Sequence, residues 1–271
     1  MNISVINTNP LSISIILGKK LGLFRELNLS IIEDFKFIGE NPYMEGKSDL
    51  MIGDITFFFY ALERGKESVI TSTLTRTIHL VVKDGVEINE KNLKIGVNRS
   101  GLFKLFLEND LKEKLNKPEI VWINNTFERI EALREGRIQG LIAINPFVDI
   151  IEDEKIGKVK WSLRESDKNL VMYCFDKNYY ENNKDEIRDF HFGVRMAGKI
   201  YNNMSLEEKE KFLREEMNYS KEYQKRFLKF TFEEEEDFKE KDFNLCKEWM
   251  LREKNIKKDY KYSEYVKSLG K

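Results

Sequence analysis

The sequence predicts an α/β protein made of two similar halves, each on a mostly parallel sheet, followed by a helical C-terminal third. Three observations carry this expectation. Short apolar and β-branched runs alternate with amphipathic stretches over residues 2–175, and helical connections between strands imply parallel pairing. The order strand, loop, helix, strand, helix, glycine, strand occurs twice, once on each side of Thr77. From Asp185 onward the apolar spacing is helical almost throughout.

Residues 2–7 read as a strand, and Thr8-Asn9-Pro10 as a loop, since proline cannot donate to a sheet. Residues 11–23 place apolar side chains on a helical face, with Ser12 as a candidate cap and Gly22 near the end, where a left-handed residue is commonly needed. Strands follow at 29–37 and 49–52, the second closing at Gly53-Asp54. A helix at 55–63 is stopped by Arg64-Gly65, and 69–74 is the next strand. The second series opens with a strand at 77–82, closed by Lys83-Asp84-Gly85. It continues with a strand at 93–97, a loop at 98–101 and an amphipathic helix at 102–115. A strand at 119–123, a helix at 126–134 stopped by Gly136, and a strand at 138–144 ending at Asn145-Pro146 complete it. Residues 168–175 supply one more strand. Beyond it, Phe190, Val194, Ala197, Ile200 and Tyr201 fall at helical spacing. The acidic run 233–236 reads as a solvated helix start, because acidic side chains suit that end of the helix dipole. Phe232 and Phe238 bracket it and argue against an interaction tail.

Composition narrows the function classes. Of 271 residues 41% are hydrophobic, with 19 Phe and 11 Tyr, enough for a sizeable core and incompatible with global disorder. Basic and acidic residues number 46 and 47, a formal charge of −1, which argues against a dedicated nucleic-acid binder. Two cysteines, Cys174 and Cys246, and two histidines provide neither a disulfide scaffold nor the ligands of most metal sites, so no metal or cofactor is expected. No apolar run approaches the roughly 20 residues of a membrane span. Residues 3–6 read at once as a strand rather than as a leader. The expected location is therefore cytoplasmic, with an extracytoplasmic one as the alternative if a leader has been removed.

Several phrases carry a family resemblance. GKKLGLFRELNL at 18–29 resembles the opening of the aliphatic-sulfonate, taurine and thiamine-precursor binding proteins of ABC transporters. SDLMIGD at 48–54 with ALERG at 61–65, LKIGVNRSG at 93–101, EALREGRIQG at 131–140 and Asn145-Pro146 resemble further segments of that family, in the same order. Residues 249–266 resemble its tail. The resemblance implies a type II periplasmic-binding-protein fold, with lobe one at 1–80 plus 176–271 and lobe two at 81–175. It implies hinge strands at 79–83 and 173–175, a small-molecule ligand in an interdomain cleft, and an ABC permease as partner. Lobe closure would follow from a higher affinity of the closed form for the ligand.

Ligands in open α/β sheets lie beyond the carboxyl ends of the strands, which nominates the loops there. Arg99 offers a forked cation, and Ser100, Gly101 and Leu102 offer amides at a helix start, together suited to an anionic group. The plainer account is a capping Ser100 with Arg99 in water. Thr8 and Asn9 follow the first strand, where an ordinary turn is the alternative. Asp54 and Thr56 lie at another strand end, where Thr56 is also a helix-cap candidate. Thr71, beside Ser72 and Thr73, supplies hydroxyls, and Asn145 precedes Phe147, a side chain able to stack on a planar ligand. Trp122 and Trp161 read as core or surface cover.

Enzymes on the same scaffold form the rival class, as a cytoplasmic biosynthetic enzyme that is chorismate dehydratase-like or thiamine-precursor-related. Asn7-Thr8-Asn9-Pro10-Leu11 faintly resembles the opening of chorismate dehydratase-like enzymes. The family's pyrimidine synthase consumes a His, and this chain has Gly53 and Phe57 at the matching strand end. Neither Asp54 nor Glu131 has a second group at a recognisable acid/base spacing, so no catalytic residue is assigned.

Overall fold

The computed structural model describes residues 1–32, 40–74, 76–99 and 101–268. The chain divides into two units, one formed by Met1–Thr75 and Leu170–Lys271, the other by Arg76–Asn169. The boundaries expected from sequence lay at 80/81 and 175/176.

The first unit begins with β1 (Asn2–Ile6), α1 (Ser12–Lys20), β2 (Asn28–Ile32), β3 (Leu50–Asp54), α2 (Ile55–Glu63) and β4 (Ser68–Thr73). The chain then builds the second unit from β5 (Ile78–Lys83), β6 (Lys94–Val97), α3 (Leu102–Asn109), β7 (Glu119–Trp122), α4 (Thr126–Arg134), β8 (Gly140–Ile144), α5 (Phe147–Asp153) and β9 (Gly157–Ser162). It returns through β10 (Val171–Asp176) into α6 (Lys177–Asn182), α7 (Lys184–Asn203), α8 (Leu206–Glu215), α9 (Lys221–Leu228), α10 (Glu240–Arg252) and α11 (Tyr262–Tyr265). The first sheet has the order β2-β1-β3-β10-β4 and the second β7-β6-β8-β5-β9. In both, the fourth strand is antiparallel to its neighbours and β1–β3 or β6–β8 pairing is parallel. The repeated element order in the sequence is thus a repeated sheet topology.

Burial explains why these segments take these forms. Residues 12–18 of α1 are buried throughout, because the helix lies between the sheet and α7. Ile3, Val5, Ile13, Phe175, Phe190 and Tyr201 belong to that core. Phe24 locks the two helices. Its ring fills the space that a Cβ would occupy on both Gly18 and Gly193, and it stacks on Phe190 at 5.6 Å. Gly22, at φ +67°, turns the chain so that Phe24 reaches this position. Elsewhere in this unit Phe58 and Phe59 of α2 meet Phe243 of α10 edge to face or tilted, at 6.1 and 5.0 Å. In the second unit Val81, Ile130, Leu133, Leu141 and Val148 gather between the sheet and helices α4 and α5.

Several expectations need correction. The helix read over 11–23 spans Ser12–Lys20, and Ser12 is its first residue rather than its cap, its hydroxyl donating to the Ile6 carbonyl at 2.7 Å. The helix read over 102–115 stops at Asn109, where Asp110 turns to pair with Lys168 at 2.5 Å and the Leu111 amide closes the end on the Phe106 carbonyl. The two segments read as hinges are the bodies of β5 and β10, each hydrogen-bonded on both sides within one sheet. The acidic run 233–236 is not helical; Glu236 bridges Thr73 on the edge of β4. Strand β9 and helices α5 and α6 were not anticipated. Residues 33–37 of the strand read over 29–37 lie outside the described residues, as does Ser100.

Candidate functional site

In the first unit, β1, β2 and β3 run parallel, and β4 runs with them on the far side of β10. The carboxyl ends of β1 and β3 deliver Thr8, Asn9 and Asp54 to one edge of the sheet, while Thr71 lies within β4. Thr8 is exposed in a turn. The Asn9 side-chain oxygen accepts the Leu11 amide at 3.0 Å, which organises the start of α1. Asp54 caps α2, one carboxylate oxygen accepting the Thr56 amide at 2.8 Å, the Phe57 amide at 3.3 Å and the Thr56 hydroxyl. These bonds tie Asp54 and Thr56 to building the helix start.

Thr71 belongs to a different arrangement, beside a cavity of about 460 Å³ contained in the first unit. Leu11, Thr71, Ser72, Tyr173, Arg195 and Glu235 are among the residues that line it. The Thr71 hydroxyl lies 3.0 Å from His191 Nε2, and His191 Nδ1 contacts one Glu235 carboxylate oxygen. That same oxygen accepts the Ser72 hydroxyl at 2.6 Å, and the other accepts Arg195 Nη1 at 3.0 Å. Burial pushes the Glu235 carboxyl up, but the His191 ring, the Ser72 hydroxyl and the Arg195 guanidinium outweigh it and hold the group below the usual carboxylate range. A hydroxyl, an imidazole and a carboxylate in series suggest an activated nucleophile. Here the series ends on a backbone group, since Thr71 also donates to the Tyr173 carbonyl at 3.4 Å and is 1% exposed. The arrangement ties the 232–237 segment to β4 and α7. Sequence reading missed His191, Arg195 and Glu235; the signal was an acidic run bracketed by two aromatic residues.

In the second unit, β6, β7 and β8 are parallel and bring Arg99, Gly101, Leu102 and Asn145 to one edge of their sheet. Arg99 is exposed and lies over the Trp122 ring at 6.0 Å, and its amide donates to the Asn124 side chain at 3.2 Å. Gly101 is the cap residue of α3 at φ +74°, where a side chain would be strained, and Leu102 is buried beneath it. Asn145 is engaged as a strut: its oxygen accepts His79 Nε2 at 2.9 Å and its amide donates to Asp149 at 3.0 and 3.1 Å. Trp122 and Phe127 are 39% and 46% exposed, and Phe127 meets Phe147 edge to face at 5.3 Å. Of the two places the sequence left open for Trp122, core or surface cover, it takes the surface. Trp161 serves as a platform for the Lys114 ammonium, 3.4 Å from its ring centre. Arg129 of α4, unnoticed in the sequence, is fully buried just under these strand ends. Burial lowers its guanidinium to about 10. Among the described residues no group of three or more His, Cys, Asp or Glu is arranged to hold a metal ion, and no helix is long and apolar enough to cross a membrane.

Two α/β units with this repeated topology define the generic periplasmic-binding-protein fold, and solved structures share it over nearly the whole chain. The periplasmic aliphatic sulphonate binding protein SsuA from Escherichia coli matches with a TM-score of 0.80 at 14% identity, over 98% of this chain and 91% of that one. The ligand-binding component of an ABC-type import system from Staphylococcus aureus, solved with zinc bound, matches with a TM-score of 0.73 at 15% identity, over 99% and 96%. The alkanesulfonate-binding protein SsuA from Xanthomonas axonopodis pv. citri, bound to MOPS, matches with a TM-score of 0.71 at 12% identity, over 99% and 98%. No protein-family model and no curated protein matches the chain by sequence.

Proposed function

We propose that this protein is a solute-binding protein that captures a small organic anion for an ABC-type importer, working outside the cytoplasm with a permease as its partner. The observation that carries the anion is the strand-end edge of the second unit. There Arg99, which pairs with no carboxylate among the described residues, stands beside the glycine-capped start of α3, next to the exposed ring of Trp122. A forked cation and helix-start amides suit a sulfonate or carboxylate, and an exposed aromatic face suits the organic remainder. The named neighbours support an importer and an extracytoplasmic location, since they are periplasmic or ABC-type import components. In the first unit, Thr8 and Asn9 are the residues we assign to ligand contact, while Asp54 and Thr56 shape the helix beside them.

Calorimetric titration with a panel of alkanesulfonates and small carboxylates tests this. Saturable binding, with the ligand recovered unchanged after incubation, is the expected result. Arg99→Ala should weaken the tightest ligand by roughly tenfold, as loss of one charge-assisted contact implies. Failure of every organic anion to bind would end this proposal, and conversion of the ligand to a new compound would replace it with an enzyme.

A further inference from the structure

Arg129 is 0% exposed, yet every acceptor it uses among the described residues is neutral. Its Nη1 donates to the Asn98 side-chain oxygen, to the Ile123 carbonyl at 2.7 Å and to the Asn124 carbonyl at 2.9 Å. Its Nη2 donates to the Thr126 hydroxyl at 2.9 Å, its Nε has no partner among the described residues, and the guanidinium carbon lies 5.4 Å from the Phe103 ring centre. No carboxylate opposes it among the described residues, and burial lowers its guanidinium. Buried charges are ordinarily paired, because removal from water costs more than neutral hydrogen bonds return. Glu235 in the first unit follows that rule, with Arg195 and His191 against it. Arg129 departs from it.

The place of the departure is informative. Asn98 follows β6, and Ile123 and Asn124 follow β7, so the guanidinium lies beneath two carboxyl-end loops of parallel strands. It draws two backbone carbonyls and one side-chain oxygen inward. Asn124, one of the residues so held, receives the Arg99 amide on its own side-chain oxygen. The loop that carries Arg99 is thereby fixed against a buried positive charge.

We propose that Arg129 is a positioning residue and fixed charge for an anion subsite on these loops, and that a carboxylate- or sulfonate-class headgroup bound above it is its missing counter-charge. This rests on the solute-capture proposal and adds a residue that touches no ligand but sets the class the site accepts.

The test compares Arg129→Lys, which keeps the charge, with Arg129→Gln, which removes it; both lose most of the four hydrogen bonds. Binding of ethanesulfonate and acetate is measured from about pH 8 down to about pH 5, and the two variants are compared at the acid end. Burial can lower a lysine to about 5–6, and its charge returns on acidification. Thermal unfolding is recorded for each variant. A strut would lose affinity in step with stability, in both variants alike. The expected result is that Lys keeps affinity within about threefold while Gln loses about tenfold or more. Equal affinities of the two folded variants would overturn the inference and leave solute capture standing; absence of binding to the unaltered protein would overturn both. Should neither variant fold, the side-chain Nε–H resonance of Arg129 in the unaltered protein decides. Ethanesulfonate should shift it saturably while the exposed Arg137 resonance stays, and a stationary Arg129 signal at saturation would refute the role.

Discussion

Replacing Glu235 by glutamine probes a buried carboxylate of the first unit that Ser72, His191 and Arg195 hold. The substitution keeps the shape and removes the charge that His191 and Arg195 face, and it turns an amide donor toward groups that themselves donate. The carboxylate is only 6% exposed, so solvent screening is slight. Breaking a buried pair by removing one partner costs about 3–5 kcal/mol. For a unit of this size each kcal/mol moves the midpoint by about 2–4 °C, giving a fall of roughly 6–20 °C in Tm. Differential scanning calorimetry of the full chain at neutral pH reads it directly. The pH dependence supplies a second check. Because the folded carboxyl is held low, its contribution is present above the unfolded value of about 4.3 and is lost as pH falls through the lower folded value. The gap between the two proteins should therefore close on acidification. A Tm change below about 2 °C, or a gap that widens toward low pH, would refute the account of this network.

Two further outcomes follow from burial and packing. Gly193→Ala sets a Cβ 2.5 Å from the Phe24 ring and 3.0 Å from the Leu23 carbonyl, and should cost about 1–3 kcal/mol in chemical denaturation; an unchanged midpoint would mean that Phe24 is not wedged there. Burial pushes the Cys174 thiol up to about 12 and the Cys246 thiol well above its usual value, so both should resist a thiol reagent until the chain unfolds. Prompt labelling of either in the native protein would contradict their placement.

How far the sequence was legible varies with the kind of signal. Periodicity and glycine stops located α2 and α4 to the residue, because each has a clear cap and a clear end: Asp54 and Arg64-Gly65 for one, Asn125 and Gly136 for the other. The phrase at 18–29 was legible only as a resemblance, and the structure supplies its cause: Gly18 and Gly22 are there so that Phe24 can wedge against α7. Long-range pairing left weaker traces. Glu235 reads as one residue of a solvated acidic run until Ser72, His191 and Arg195 are brought to it from other elements. Arg129 reads as an ordinary helix residue, since the acceptors that bury it lie in two loops at different sequence distances. The sites that sequence did nominate divide accordingly. Asp54, Thr56 and Asn145 are occupied in shaping local structure, while Arg99 stays exposed at the strand end.

The position of β10 bears on how the chain reaches its folded state during synthesis. Residues 76–169 are contiguous, so that unit holds all five of its strands once Asn169 has emerged. The other sheet waits: β3 and β4 do not pair with each other, and the slot between them is filled only after the whole insertion has been translated. Throughout that interval β4 offers an open, hydroxyl-rich edge to any passing strand. Until β10 arrives, the facing edges of Leu50–Asp54 and Ser68–Thr73 are both open to misassociation, and a chaperone that covers them would protect this step of assembly.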